Sequence, residues 1–587
     1  MRAEYIWRKK IRWAFYLAGV IIGILWLRLF YLQIIRYSYY SKKAKERSIV
    51  TYAVPAPRGN IFTSDGVLVA TNRAVFQLYI DVQAVKGKEN QVLYRLSKIL
   101  KEDFGELKEE YYLGKKRSFG RVLLKSNLNW DQVAKIMVRL YYLPGVRIEV
   151  EPQRYYPYGK EYFHLIGYVS RLSKEEYLRL RDKGYSVVDY IGKRGIERAF
   201  EPYLKGKDGY IEVERDAYGR LGEIVKRVKP IPGDDLIITV NHKLQTVAYE
   251  LLKGKAGAIV ALSPKDGAIL AMVSSPSIDP EGFITGYTPK EWKRIVRSPL
   301  KPLINRAISA YPPGSTYKVI TAFAGLMSGA IKGLGQIFYC KGYIVYKGRV
   351  FRCWKASGHG WVNLTKAIQE SCDVYFYEVA KNLDIDYLAK ISREFGLGEK
   401  ALGWIEESKG LIPDRKWKKK YLHQIWFPGE TLITAIGQGY LKVTPLQMAR
   451  VYMAIANNGY LYKPYVVKEI IPFGGKPYKF MPILERKINI PLRYFRWIQR
   501  ALVRVVRKGT GKKANIPGLL VAGKTGTAQV TSGESHAWFV SYAGKRRPEI
   551  VTAVFVEHGG HGGETAAPIA KKLYEVYFGI NATEESQ

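Results

Sequence analysis

One stretch near the start constrains this chain more than anything else in it. Residues 13–27, WAFYLAGVIIGILWL, carry no charge, and after Arg28 the run resumes as LFYLQII to Ile35. About 20 apolar residues are what one helix needs to cross the hydrocarbon core of a bilayer. Arg28 stands near one end, where its stem lets the guanidinium reach the headgroups. Trp13, Trp26 and Tyr31 suit the interfacial zones. The run is too long, and lacks the small-residue cleavage site, for a removed signal peptide. The expectation is a tail over 1–12 and a single-pass anchor over 13–35, with no second span. Lys and Arg flank it evenly, Arg2, Arg8, Lys9, Lys10 and Arg12 before and Arg36, Lys42, Lys43, Lys45 and Arg47 after, so the positive-inside rule sets no orientation. A short tail and a lone span fit a signal-anchor: a cytoplasmic tail, an inner-membrane helix and the bulk exported to the outer side.

The 587 residues exceed what one compact core holds, so two or more domains are expected. Lys and Arg number 94 against 52 Asp and Glu, a formal charge of +42, which favours anionic surroundings. These cations are spread along the chain and no recognition motif accompanies them, so nucleic acid is not the expected partner. SKEEYLRLRDKG at 173–184 reads as a helix capped by Ser173 and stopped by Gly184. IPGDDLIITV at 231–240 reads as a turn and a strand, and marks a domain boundary. Residues 256–275 read as a hairpin about Lys265-Asp266-Gly267, and 444–459 as a helix with a Thr-Pro start and a Gly stop. Two late strands and a last helix, TAAPIAKKLYEVYF, follow. Hairpin, helical centre and late strands predict an α+β domain over 235–578, after a separate domain over 36–234 and before a tail over 579–587.

GLLVAGKTGTAQV, Gly518–Val530, fits the phosphate-loop pattern G-x-x-x-x-G-K-[ST]. A phosphate loop needs a flexible cradle that opens at once into a helix. Here Leu519, Leu520, Val521 and Ala522 read as a buried strand, and TGTAQVTSG as strand and turn. Lys524-Thr525-Gly526 instead joins two other motifs. Ser315-x-x-Lys318 follows Pro312-Pro313-Gly314 and opens an apolar helical run, which sets the amine one turn from the hydroxyl. A second match, Ser298-Pro-Leu-Lys301, lies in a charged, proline-broken stretch without helical pattern. Ser371-x-Asp373 comes third. Ser-x-x-Lys, Ser-x-Asn/Asp and Lys-Thr-Gly in that order form the signature of penicillin-binding proteins and serine β-lactamases.

On these motifs the chain resembles the class B penicillin-binding proteins, most of all the penicillin-binding protein 2 branch of the cell-elongation (rod) system. PRGNIFTSDGVLVATN, RYYPYGKEYFHLIGYV and GKRGIERAFEPYLKGKDG are similar to the family's non-catalytic pedestal. PLINRAISAYPPGSTYK, AIGQGYLKVTPLQMA and HAWFVSYA are similar to its transpeptidase domain. Thr63-Ser64-Asp65-Gly66 departs from the usual Asp-Arg-x-Gly, and Asp373 stands where Asn is commoner. The resemblance implies a transpeptidase domain of the penicillin-binding and serine β-lactamase fold on an elongated α+β pedestal, with no glycosyltransferase domain. It implies a D,D-transpeptidase that cross-links peptidoglycan stem peptides and is acylated by β-lactams. Ser315 is then the nucleophile, Lys318 its base, and Ser371 a proton relay. Asp373 is expected to hold Lys318 or Lys524. Lys524, Thr525, Gly526 and Thr527 would take the substrate carboxylate, with the N–H groups of Ser315 and Thr527 as oxyanion hole. The implied partner is a RodA-type glycan polymerase, met through the anchor and pedestal. The alternatives are a silent scaffold or β-lactam sensor on the same fold, and a division-type transpeptidase.

The chain's three cysteines fall in one segment with a histidine: Cys340-x12-Cys353-x5-His359-x12-Cys372. Four such ligands suit a closed, tetrahedral, structural zinc site beside Ser371. Elongation-type relatives carry a similar cluster with two aspartates in place of two of the cysteines. A disulfide with one spare thiol, or three inert thiols, are the rival readings. His558-x-x-His561, in a Gly-rich stretch, reads as a strand-exit loop, and His536 as a packing or hydrogen-bonding residue.

Overall fold

The computed structural model describes residues 2–117, 121–185, 189–215 and 221–580. Most of the tail expected over 579–587 lies outside them. Arg2–Phe30 form one helix (α1), continued by a wider π-helical turn at Tyr31–Ile35. Tyr5–Ile35 is long and apolar enough to cross a membrane; its most apolar 18 residues have a mean hydropathy of 2.0, and none of them is buried against protein. An unburied helix that is apolar on every side finds its partner in lipid.

The chain divides into two compact units. The smaller takes in Met1–Pro57, Ala74–Pro152 and Gly206–Pro232. In it β1 (Ile49–Val54) and β5 (Leu221–Val228) flank β4 (Gly209–Arg215) in an antiparallel sheet. The second half of β2 (Leu68–Asp81) pairs with β3 (Arg121–Leu128), from Phe76↔Leu128 to Asp81↔Arg121. Helices α2 (Glu89–Leu100) and α3 (Trp130–Met137) pack with that pair. Val92, Leu93, Leu96 and Leu100 make one stripe along α2 at helical spacing, and all are buried.

The larger unit takes in Arg58–Arg73, Gln153–Lys205 and Gly233–Gln587. Ser173 caps α4 (Lys174–Leu180) through a capping box with Glu176, and Gly184 stops the following 3-10 turn at φ +81°. The predicted hairpin is present as β6 (Gly257–Leu262) and β7 (Ile269–Ser275). Its sheet has five antiparallel strands in the order β7-β6-β10-β9-β8, with β8 (Leu520–Ala528), β9 (His536–Gly544) and β10 (Ile550–Val556). Both faces are covered, so β6, β9 and β10 are buried at every residue instead of alternating. Ala258, Val260 and Leu262 of β6 face one core, and Ile259 and Ala261 the other. The first core holds α7 (Pro445–Ala456), every residue of which is buried; Thr444 caps it with Gln447. The second holds α9 (Gly562–Phe578), through Ala566, Ala570, Leu573 and Tyr574. On the first core also lie α5 (Lys318–Ser328), α6 (Asp373–Lys381) and α8 (Leu492–Lys508).

Candidate active site

Strand β8 is the edge of the sheet. Gly518–Val530 therefore forms no phosphate loop; its lysine lies inside a buried strand paired with β9, Lys524 opposite Val540. Ser315 sits in a 3-10 turn, Gly314–Tyr317, that leads into α5. Turn and strand touch closely. A Cβ on Gly526 would lie 2.9 Å from both Pro313 O and Thr316 Cγ2; one on Gly314, at φ +54°, would lie 2.8 Å from Thr527 O. Only glycines allow this approach, and through it Ser315 stands against Lys524–Thr527.

The third segment is Ser371–Asp373. Ser371 is held at φ +57°, a left-handed conformation rare outside glycine. Asp373 opens α6, where the helix dipole favours its charge. Lys318 joins the segments. Its Nζ donates to Asp373 Oδ1 at 2.7 Å, to Ser371 O at 2.8 Å and to Ser371 Oγ at 3.2 Å. Those three bonds use all the donors of an ammonium, and none goes to Ser315. Asp373 Oδ2 accepts from the Trp354 backbone N–H at 2.9 Å. So of the two lysines, Asp373 holds Lys318.

Lys524 is as deeply buried but has no such partner; its Nζ donates to Thr525 O at 3.0 Å. Burial pushes its amine well below the usual lysine range, and the nearby charge of Lys318 pushes it further. Thr525 Oγ1 shares a 2.6 Å hydrogen bond with Thr510 Oγ1, and Gln438 Nε2 donates to Thr527 O at 3.4 Å. Thr510 and Gln438 were not singled out from sequence. Both are flanked by glycines, Thr510 by Gly509 and Gly511 and Gln438 by Gly437 and Gly439, and Gln438 lies within AIGQGYLKVTPLQMA.

The predicted zinc ligands also meet. The ligand atoms of Cys340, Cys353, His359 and Cys372 lie within 4.8 Å of one another, and all four residues are buried. All three cysteines are free thiols. His359 Nδ1 is 3.6 Å from Cys340 Sγ and 3.5 Å from Cys353 Sγ. A tetrahedral zinc, with Zn–S about 2.3 Å and Zn–N about 2.0 Å, spaces its sulfur and nitrogen ligands about 3.6 Å apart, so the four residues fit the metal. A hydrogen bond from Cys372 pushes the Cys353 thiol strongly down, and His359 adds to this; the Cys372 thiol moves up in turn. The Asp373 N–H points at Cys353 Sγ from 3.4 Å. His536 accepts the His558 N–H at 3.1 Å and packs its ring on Tyr311 and Phe555; His561 precedes α9 without a side-chain capping bond.

Residues 257–575 match the penicillin binding protein transpeptidase domain family, and 53–238 the penicillin-binding protein dimerisation domain family. The peptidoglycan D,D-transpeptidase MrdA of Acinetobacter baumannii is 36% identical over 97% of this chain and 88% of its own. A solved complex of a penicillin-binding protein (PBP2) with MreC from Helicobacter pylori aligns at TM-score 0.79 and 28% identity, over 90% of this chain and 100% of that one. A structure described as a peptidoglycan synthase complex coordinating polymerization and crosslinking aligns at TM-score 0.70 and 30% identity, over 98% and 99%.

Proposed function

The chain belongs to the class B penicillin-binding proteins, and from that membership we propose how its residues carry out peptidoglycan D,D-transpeptidation in cell elongation. The convergence of Ser315, the Lys318–Ser371–Asp373 cluster and edge strand β8 carries this reading. The donor stem lies along β8, its terminal carboxylate on Lys524 and Thr525. That carboxylate supplies the counter-charge Lys524 lacks, so a proton becomes favourable there. Lys318 as the free amine takes the Ser315 proton, and Ser371 relays it to the nitrogen of the departing D-alanine. Ser315 Oγ attacks the carbonyl between the two D-alanines, the N–H groups of Ser315 and Thr527 hold the oxyanion, and the terminal D-alanine leaves. An amine from a second stem then takes the acyl group.

The test is intact-protein mass spectrometry after exposure to benzylpenicillin. The expected result is a stable adduct of one acyl group, lost in Ser315→Ala. A wild-type chain that stays unmodified while folded sinks the enzyme reading and leaves a scaffold.

Zinc held by Cys340, Cys353, His359 and Cys372 would brace the Ser371 loop and take no part in the acyl transfer. Its binding predicts one zinc per chain by elemental analysis, and three titratable thiols only after chelation. Cys372→Ser is expected to lose the metal and melt at lower temperature; full stability in metal-free protein would end the proposal. The anchor would place the catalytic unit outside the membrane, with α1 meeting a RodA-type polymerase. Swapping α1 for an unrelated apolar helix should abolish co-purification with that polymerase, and retained co-purification would remove α1 from the contact.

A further inference from the structure

Trp354 follows the cysteine at 353 and is 60% exposed as a residue. Exposed tryptophans are common enough, but this one is anchored by both of its N–H groups. The backbone N–H donates to Asp373 Oδ2 at 2.9 Å, and Nε1 donates to Glu370 O at 3.0 Å. The two acceptors bracket Ser371. The ring is thus fixed to the very segment that carries the proton relay, with its polar edge satisfied and the residue largely exposed. Among the described residues its one ring neighbour is His359, 5.5 Å away and inclined by 59°. No lysine or arginine of the described chain stands over it.

We propose that the indole of Trp354 is the acceptor subsite: it receives the aliphatic, amine-bearing side chain of the second stem peptide. This rests on the transpeptidase reading above and names what that site takes from its second substrate. The chemistry of the step favours an aromatic surface there. The acceptor arrives from water as an ammonium, and the site already holds two buried lysines. A carboxylate would attract the ammonium but would hold its proton. An indole face attracts cations and alkyl chains while offering no strong base, so the amine can still lose its proton. The bookkeeping closes: the C–O bond between the acyl carbon and Ser315 Oγ breaks, a C–N bond to the amine forms, and the amine's proton passes by way of Ser371 to Ser315 Oγ.

The experiment uses the full chain in detergent, acylated with a thioester stem-peptide donor. Two acceptors compete with water for the acyl group: a stem peptide with a free side-chain amine, and hydroxylamine, which has no alkyl chain. Mass spectrometry of the products gives the preference for peptide over hydroxylamine. Because it is a ratio taken from the acyl-enzyme, a change in acylation rate does not enter it. Trp354→Ala is expected to lower this preference about tenfold. Trp354→Phe keeps a ring face but loses the Nε1 bond, and is expected to stay within about threefold of wild type. Equal losses toward both acceptors in Trp354→Ala would mean the residue only positions Ser371, and would overturn the proposal. So would a phenylalanine variant as poor as alanine, or an alanine variant with unchanged preference. A wild-type chain that forms no acyl-enzyme fails before any acceptor is added, and takes down the transpeptidase reading with the subsite.

Discussion

Two of the buried charge clusters in the larger unit are built on opposite principles. In the first, Arg58 donates to Glu197 at 2.7 Å and Glu201 at 2.8 Å, and Arg154 to Glu197 at 2.6 Å. Arg154 reaches Gly59 O at 2.7 Å, and Glu201 accepts the Gly192 N–H at 2.9 Å. Two cations meet two anions, and the Tyr156 and Tyr185 hydroxyls also donate to the carboxylates. In the second, Lys318 and Lys524 share one anion, Asp373. The first cluster cross-links Arg58–Arg73 and Gln153–Lys205 within the unit. The second leaves a lysine uncompensated beside the nucleophile. Balanced burial holds chain segments in register; imbalanced burial stores a protonation state that a substrate can change.

The balanced cluster should break hardest. Glu197→Gln keeps the shape but leaves two buried guanidiniums one anion short, and should cost about 3–5 kcal/mol in chemical denaturation. It should also change the acid limb. Burial alone would raise the Glu197 carboxyl, but Arg154 and Arg58 outweigh it and hold it below the usual range. A carboxylate lowered in the folded state contributes stability above its unfolded value, about 4.3, and loses it as pH falls through the folded value. Wild type should lose stability across that window, and Glu197→Gln should lose less. A substitution that costs under 1 kcal/mol would show that the cluster is dispensable, and the contrast with the lysines would fall.

What the sequence reveals follows the same divide. Ser315, Lys318, Ser371 and Lys524 are readable because their spacing is tied to one local element each: a turn before a helix, a loop, an edge strand. The cysteine-histidine set is readable because these residue types are scarce in the chain. The helix of 444–459 and the hairpin of 256–275 announce themselves by capping residues and by continuous apolar runs. The arginine–glutamate cluster is not readable, since Arg58 meets Glu197 and Glu201 across some 140 positions, and arginine and glutamate are common everywhere. Which lysine Asp373 holds is equally hidden, because both choices fit the motifs and only packing decides. Thr510 and Gln438 belong with these: each acts through a contact that β8 creates.

The smallest effect has the opposite sign, and it tests the imbalanced cluster. Unfolded Lys524 keeps its proton to about pH 10.4, whereas the folded amine gives it up well before. Between those two values the unfolded chain binds more protons than the folded one, so stability rises with pH. At neutral pH folding must therefore expel a proton or bury a charge without a counter-ion, and either is a cost. Lys524→Met fills a similar volume with no charge. It should stabilise the unit at pH 7, by about 1–2 kcal/mol, while losing the carboxylate contact that acylation needs. The gain should shrink toward pH 10, because the wild-type penalty fades there and methionine has no proton to follow. Had Lys524 an undetected anion, the methionine variant would instead be less stable at pH 7, and the deficit would fade only as pH rises past the ordinary lysine range, about 10.4. The sign of that one difference separates a lysine kept for structure from a lysine kept poised for the substrate.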